Sequence, residues 1–173
     1  MTSPYADLID VGVLTAQSAH LQRELAVASF ERLADRLERS DGRVQVELWV
    51  TEAGEFPGLE GTVHAQPWLV CQRCLEAFEA NVESQVRVAL VASDAEADRV
   101  PDDFEPVEID AGRFDLHAVV EDELLLALPL VPMHASAAEC ANARAVTPQS
   151  EVVEPTKSPT HRPFGDLRAL LKR

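Results

Sequence analysis

Two of the three cysteines stand two residues apart in Val70-Cys71-Gln72-Arg73-Cys74-Leu75, and the third, Cys140, follows His134 at a His-x5-Cys spacing. A Cys-x2-Cys pair lets one tight turn present two sulfurs to a common point. Thiolates and neutral imidazole nitrogens are the ligands that zinc prefers, in tetrahedral sets of four. Cys71, Cys74, His134 and Cys140 therefore make a chemically complete set for a structural zinc ion, the one cofactor these residues could hold. The same pair could instead form a redox couple. A thioredoxin-like Cys-x2-Cys, however, accompanies a βαβ pattern, whereas this pair joins two strand-like runs. A third reading leaves two cysteines in a turn and an unrelated one downstream.

Glu121-Asp122-Glu123 is the second candidate constellation. Oxygen-rich clusters hold hard cations such as Mg²⁺, but successive helical residues point about 100° apart, so three in a row do not converge on one ion. The better accounts are a favourable interaction with a helix dipole, or an acidic surface for a basic protein partner. No nucleophile and base can be paired by spacing, so hydrolytic chemistry has the least support and no enzyme is expected. Arg73 reads as a solvated or acid-pairing turn residue. Trp49 and Trp68 read as packing anchors rather than base-stacking platforms.

The elements that must position these residues are mixed. Leu21, Arg23, Leu25 and Val27 alternate with polar neighbours, as in a short strand. Ser29 has the chemistry of a helix N-cap before Phe30, Leu33, Ala34 and Leu37. Val44, Val46, Leu48 and Val50 share one strand face; Leu59, Gly61, Val63 and Ala65 share another. A longer run carries Phe78, Ala80, Val82, Ser84, Val86, Val88 and Leu90 on one side. Three such runs with short connections predict an antiparallel meander, or the same strands curled toward a barrel, with Cys71-x2-Cys74 at the join of the second and third. Residues 94–108 are acidic and contain proline, and read as a solvated loop. Asp115 can cap a helix with Leu116, Val119, Val120, Leu124, Ala127 and Leu128 on one face, and Pro129 stops it.

The fold class expected is thus α+β: an antiparallel sheet flanked by two helices, in one domain over residues 1–134. Residues 135–163, rich in Ala, Ser, Thr and Pro, read as a flexible linker. Residues 164–173 read as a short basic amphipathic docking tail, with Phe164, Leu167, Leu170 and Leu171 as its apolar positions. Either this tail folds back on its own sheet or a partner receives it.

Composition narrows the function classes. Thirty acidic against fifteen basic residues give a net charge of -15, which works against general attraction to phosphate backbones. It favours basic protein surfaces as partners. The first 28 residues lack an uninterrupted apolar core for export. The apolar run at 124–133 is far short of the roughly 20 residues that span a bilayer. An odd number of cysteines fits a reducing cytoplasm. A soluble cytoplasmic protein without membrane contact is expected.

Three segments in this order resemble the YceD family of large ribosomal RNA subunit accumulation proteins: Leu69-Val70-Cys71-Gln72-Arg73-Cys74-Leu75, Phe104-Glu105-Pro106-Val107-Glu108, and Val119-Val120-Glu121-Asp122-Glu123-Leu124-Leu125-Leu126-Ala127-Leu128-Pro129. A fourth, Arg162-Pro163-Phe164-Gly165-Asp166-Leu167 with Leu170 and Lys172, is similar to the family's terminal signature. Some relatives complete a four-cysteine pattern near the C-terminus; this chain departs from them with His134-x5-Cys140. The resemblance implies a cytosolic, non-enzymatic factor of ribosome biogenesis that supports synthesis, processing or accumulation of large-subunit (23S) ribosomal RNA. Its partners are then precursor RNA or ribosomal and assembly proteins, with Glu121, Asp122, Glu123, Phe164 and Leu167 as candidate contacts. The alternative is a zinc-binding or thiol-based sensor or structural domain built on Cys71, Cys74, His134 and Cys140.

Overall fold

The computed structural model of the protein describes residues 7–17 and 20–140. In chain order these form β1 (Leu8–Asp10), α1 (Val11–Ala16), β2 (His20–Ala26), a 3-10 turn (Val27–Ser29), α2 (Glu31–Ala34), β3 (Arg43–Ala53), β4 (Phe56–Ala65), β5 (Trp68–Val70), β6 (Ala77–Glu79), β7 (Val82–Val91), α3 (Asp94–Ala97), β8 (Glu105–Glu108), β9 (Arg113–Asp115), α4 (Leu116–Ala127) and a second 3-10 turn (Ala137–Glu139).

The alternation of Val44, Val46 and Leu48 with polar residues becomes the buried face of β3. This strand pairs antiparallel with β2 and β4, and β4 pairs antiparallel with β7. β8 adds parallel to β7, giving the order β2-β3-β4-β7-β8. The architecture is therefore mixed and mostly antiparallel, as expected, but the sheet stays open with β2 and β8 as its edges rather than closing into a barrel. Gly61 marks a close approach of β4 to β3: a Cβ there would lie 2.0 Å from the Glu47 carbonyl oxygen. No other residue type fits that position without parting the strands.

One face of the sheet carries the core. Leu48, Leu59, Val63, Val86 and Val88 pack beneath Phe30 and Leu33 from the α2 region, and beneath Phe114, Leu116, Val120 and Leu124 from β9 and α4. Fully burying a side chain of this kind stabilises the fold by about 1.5–3 kcal/mol. Asp115 caps α4 as expected, its carboxylate accepting from the backbone N–H of His117 at 3.0 Å and from that of Asp7 at 3.0 Å. The helix ends at Ala127, where Leu128 turns extended ahead of Pro129.

Three expectations are corrected. Ser29 does not cap a helix: its hydroxyl donates to the Ala26 carbonyl inside the 3-10 turn, and α2, beginning after Phe30, is a single turn. The run from Phe78 to Leu90 is not one strand. It divides into β6 and β7 because the chain must leave the small β5–β6 hairpin before joining the large sheet. Residues 94–108 are not a plain loop either. They form α3 and β8, anchored by Ala97, Val100 and Phe104 against Phe56, Ala89 and Val91. At the start of the segment read as a linker, residues 137–139 form a 3-10 turn and Cys140 is buried; residues 141–163, and the tail with Phe164 and Leu167, lie outside the described residues. No helix among the described residues is long and apolar enough to cross a membrane.

Candidate functional site

The β5–β6 hairpin pairs Trp68 with Glu79, Leu69 with Phe78 and Val70 with Ala77, which brings Cys71 to the start of its loop. Two hydrogen bonds tighten that loop into a knuckle: Cys71 N–H donates to the Glu76 carbonyl at 2.9 Å, and Leu75 N–H to the Cys71 carbonyl at 2.8 Å. Leu75 takes a φ of 63°, a left-handed conformation that turns the backbone after Cys74. The segment after α4 is laid beside the knuckle by Gln72 N–H, which donates to the Pro132 carbonyl at 2.8 Å. His134 and Cys140 arrive on that segment, with Ala137–Glu139 curling the chain back between them.

The result brings Cys71, Cys74, His134 and Cys140 together, with one ligand atom from each within 4.8 Å of every other. His134 Nδ1 is 3.6 Å from both Cys74 Sγ and Cys140 Sγ, and Cys71 Sγ is 4.0 Å from Cys140 Sγ. Zn–S bonds of about 2.3 Å and Zn–N bonds of about 2.0–2.1 Å imply tetrahedral edges of roughly 3.6 Å between N and S and roughly 3.8 Å between two sulfurs. The separations of His134 from Cys74 and Cys140, and of Cys71 from Cys140, lie close to those edges, and the remaining pairs stay within 4.8 Å. They do not match a disulfide, whose sulfurs sit about 2.05 Å apart, and all three cysteines are free thiols. The donor set and its spacing fit zinc.

The surroundings fit the same chemistry. Cys71 and Cys140 are buried, and Phe78 packs against the sulfurs with its ring tilted over His134 at 4.8 Å. Burial opposes ionisation of Cys71, but backbone N–H groups of His134, Arg73 and Cys74, together with the His134 ring, favour its thiolate and bring the pKa down to about 5. Cys74 moves the other way. Burial pushes its thiol up, and the neighbouring sulfurs of Cys71 and Cys140 add to the rise. Arg73 was read as a solvated or acid-pairing turn residue. Its guanidinium instead lies 3.8 Å from Cys140 Sγ and 3.8 Å from Met133 Sδ, supplying positive charge beside the sulfurs. Its position between the two cysteines was the only available signal for this role.

The acidic triplet behaves as three separate groups. Glu121, 7% exposed, accepts from the backbone N–H of Arg32 at 2.8 Å and of Leu33 at 3.2 Å, and from Arg32 Nε at 2.8 Å. It thus satisfies the unpaired N–H groups at the start of α2 across 88 residues of sequence. Asp122 accepts from Arg32 Nη1 at 2.7 Å, and Glu123 from the Ser84 hydroxyl at 2.6 Å. The pair of carboxylates holds Arg32 above its ordinary pKa. Sequence reasoning also missed His117, which is buried, stacks on Phe30 at 4.1 Å and places Nε2 3.0 Å from Ser29 Oγ. A groove of about 290 Å³ runs between β8 and the outer side of α4.

The family model for the large ribosomal RNA subunit accumulation protein YceD matches residues 59–171. The YceD protein of Haemophilus influenzae is 39% identical over 114 residues, which cover 64% of this chain and 65% of that relative, just under two thirds of its length. No solved structure matches. The matched span takes in the knuckle, α4 and the segment carrying His134 and Cys140: this chain belongs to the YceD family.

Proposed function

We propose that this protein is a cytoplasmic, non-enzymatic accessory factor of ribosome biogenesis that supports synthesis, processing or accumulation of large-subunit (23S) ribosomal RNA. The observation that carries this reading is family membership, through the name borne by the family and its Haemophilus relative. A net charge of -15 favours basic ribosomal or assembly proteins as the direct contacts, with RNA touched locally if at all. Asp122 and Glu123 on α4, and Phe164 and Leu167 of the terminal segment, are the proposed contacts. Glu121 contributes by holding α2 to α4. Domain organisation follows the sequence reading: a body over residues 1–134, a connecting segment over 135–163 and a docking tail over 164–173, with the connection pinned at its start.

The pin is a structural zinc ion held by Cys71, Cys74, His134 and Cys140, supported by the convergence of their four donor atoms to within 4.8 Å of one another. When bound it supplies crosslinking rather than catalysis, since four protein ligands close the coordination sphere. A thiol-sensor role has weaker support, because redox-sensing cysteines are solvent-accessible and these three are buried.

Purification of the tagged full chain from growing cells at low salt tests the functional reading. Enrichment of precursor large-subunit RNA or of ribosomal proteins, together with a lowered ratio of 23S to 16S RNA in cells lacking the protein, is the expected result. No enrichment of either, with an unchanged ratio, contradicts it.

A further inference from the structure

We propose that the groove between β8 and α4 is the docking site of the chain's own terminal segment, residues 164–172. Its floor is apolar, formed by Val88, Val107, Val119 and Leu126. Leu126, 76% exposed, extends that apolar floor to the groove's open side. Glu105, Glu108, Asp122 and Glu123 rim the same groove. The ion pairs among the described residues leave Glu105 and Glu108 without a cation.

The terminal segment is the complement of this surface. Phe164, Leu167, Leu170 and Leu171 recur at the spacing of one helical face, and Arg168 and Lys172 stand beside them against a single acid, Asp166. In a chain with twice as many acidic as basic residues, such a cationic apolar segment is conspicuous. It is also within reach. Residues 141–163 separate it from Cys140 and extend up to about 3.3–3.6 Å per residue, against about 18 Å for the whole of α4. Tethering makes the encounter intramolecular, so modest contacts suffice. A second copy's segment competes poorly, because two molecules of net charge -15 repel each other. In the free protein the two surfaces assigned above to an assembly partner then cover one another; that consequence rests on the functional reading, whereas the docking does not.

The test places the photo-crosslinking residue benzoylphenylalanine at Ala118, or in a second protein at Leu126, in the full chain, and irradiates an equal mixture of unlabelled and ¹⁵N-labelled protein. The expected product joins position 118 or 126 to a peptide within residues 164–173, with the same isotope in both halves. Glu105→Lys with Glu108→Lys, and separately Leu167→Asp, should each lower its yield at least fivefold while the far-ultraviolet circular dichroism is unchanged. No such crosslink from either position, mixed-isotope products, or an undiminished yield in both variants would overturn the proposal. No partner is present in the experiment, so its failure leaves the ribosomal reading to its own test.

Discussion

The sheet core and the cysteine knuckle sit in one chain but are held by different physics. In the core, Phe30, Leu33, Leu48, Leu59, Phe114 and Leu124 are at most 2% exposed and pack on one another across five elements. The knuckle is a hairpin of two three-residue strands that buries Leu69 and a small cluster of three sulfurs with one partly buried phenylalanine. A two-stranded hairpin of that size is marginal in water. Apolar burial is extensive in the first region and slight in the second, which is where a bound metal would contribute most. Small folded units that lack a core are the ones that need a metal or disulfide.

The two regions can be perturbed separately. The largest effect is expected from Cys71→Ser, which removes a thiolate ligand: stoichiometric zinc should be lost and amide exchange should accelerate over residues 68–79 and 130–140, while the sheet keeps its protection. Global unfolding of that variant would show that the regions are not separable. Phe30→Ala attacks the other side. It should destabilise the protein by about 3–5 kcal/mol in denaturant titration, and a loss under 1 kcal/mol would mean that the α2 region is not part of the core. Glu121→Ala leaves the Arg32 and Leu33 N–H groups without their acceptor, at about 1–3 kcal/mol, and should free the 27–34 segment before the sheet. The smallest expected change is from Arg73→Ala. It should keep zinc but weaken its retention about tenfold, the low end for groups that support metal ligands, read by competition with a chromogenic chelator.

Acidity sharpens the same contrast. Ligation requires deprotonated thiols, and protons displace the metal as they return. The Cys71 thiolate, favoured down to about 5 in the metal-free site, should be available as a ligand at neutral pH, and protons should compete for it as the pH falls below that value. Zinc release on acidification should therefore precede loss of the sheet's circular dichroism.

Much of this was legible in the sequence. The alternation in β3 and β4 and the Asp115 cap of α4 are local signals, and they transferred directly. The four clustered residues were visible from residue type and spacing, although the fold-back of His134 and Cys140 is accompanied by the Gln72 to Pro132 hydrogen bond, a contact between distant segments. What was not legible was decided by tertiary partners. Glu121 looks like part of a solvated charge run, and only the backbone of α2 explains its burial. Ser29 has cap chemistry, yet a 3-10 turn claims its hydroxyl. Residues 105–108 have the composition of a loop, and a free edge of β7 recruits them as a parallel strand.

The most direct measurement is metal and thiol content of the full chain purified anaerobically without added metal. Close to one equivalent of zinc is expected, with Cys71, Cys74 and Cys140 resistant to thiol reagents until a chelator or denaturant is added. Less than about a tenth of an equivalent of zinc, with all three thiols titrating in the native protein, would contradict it.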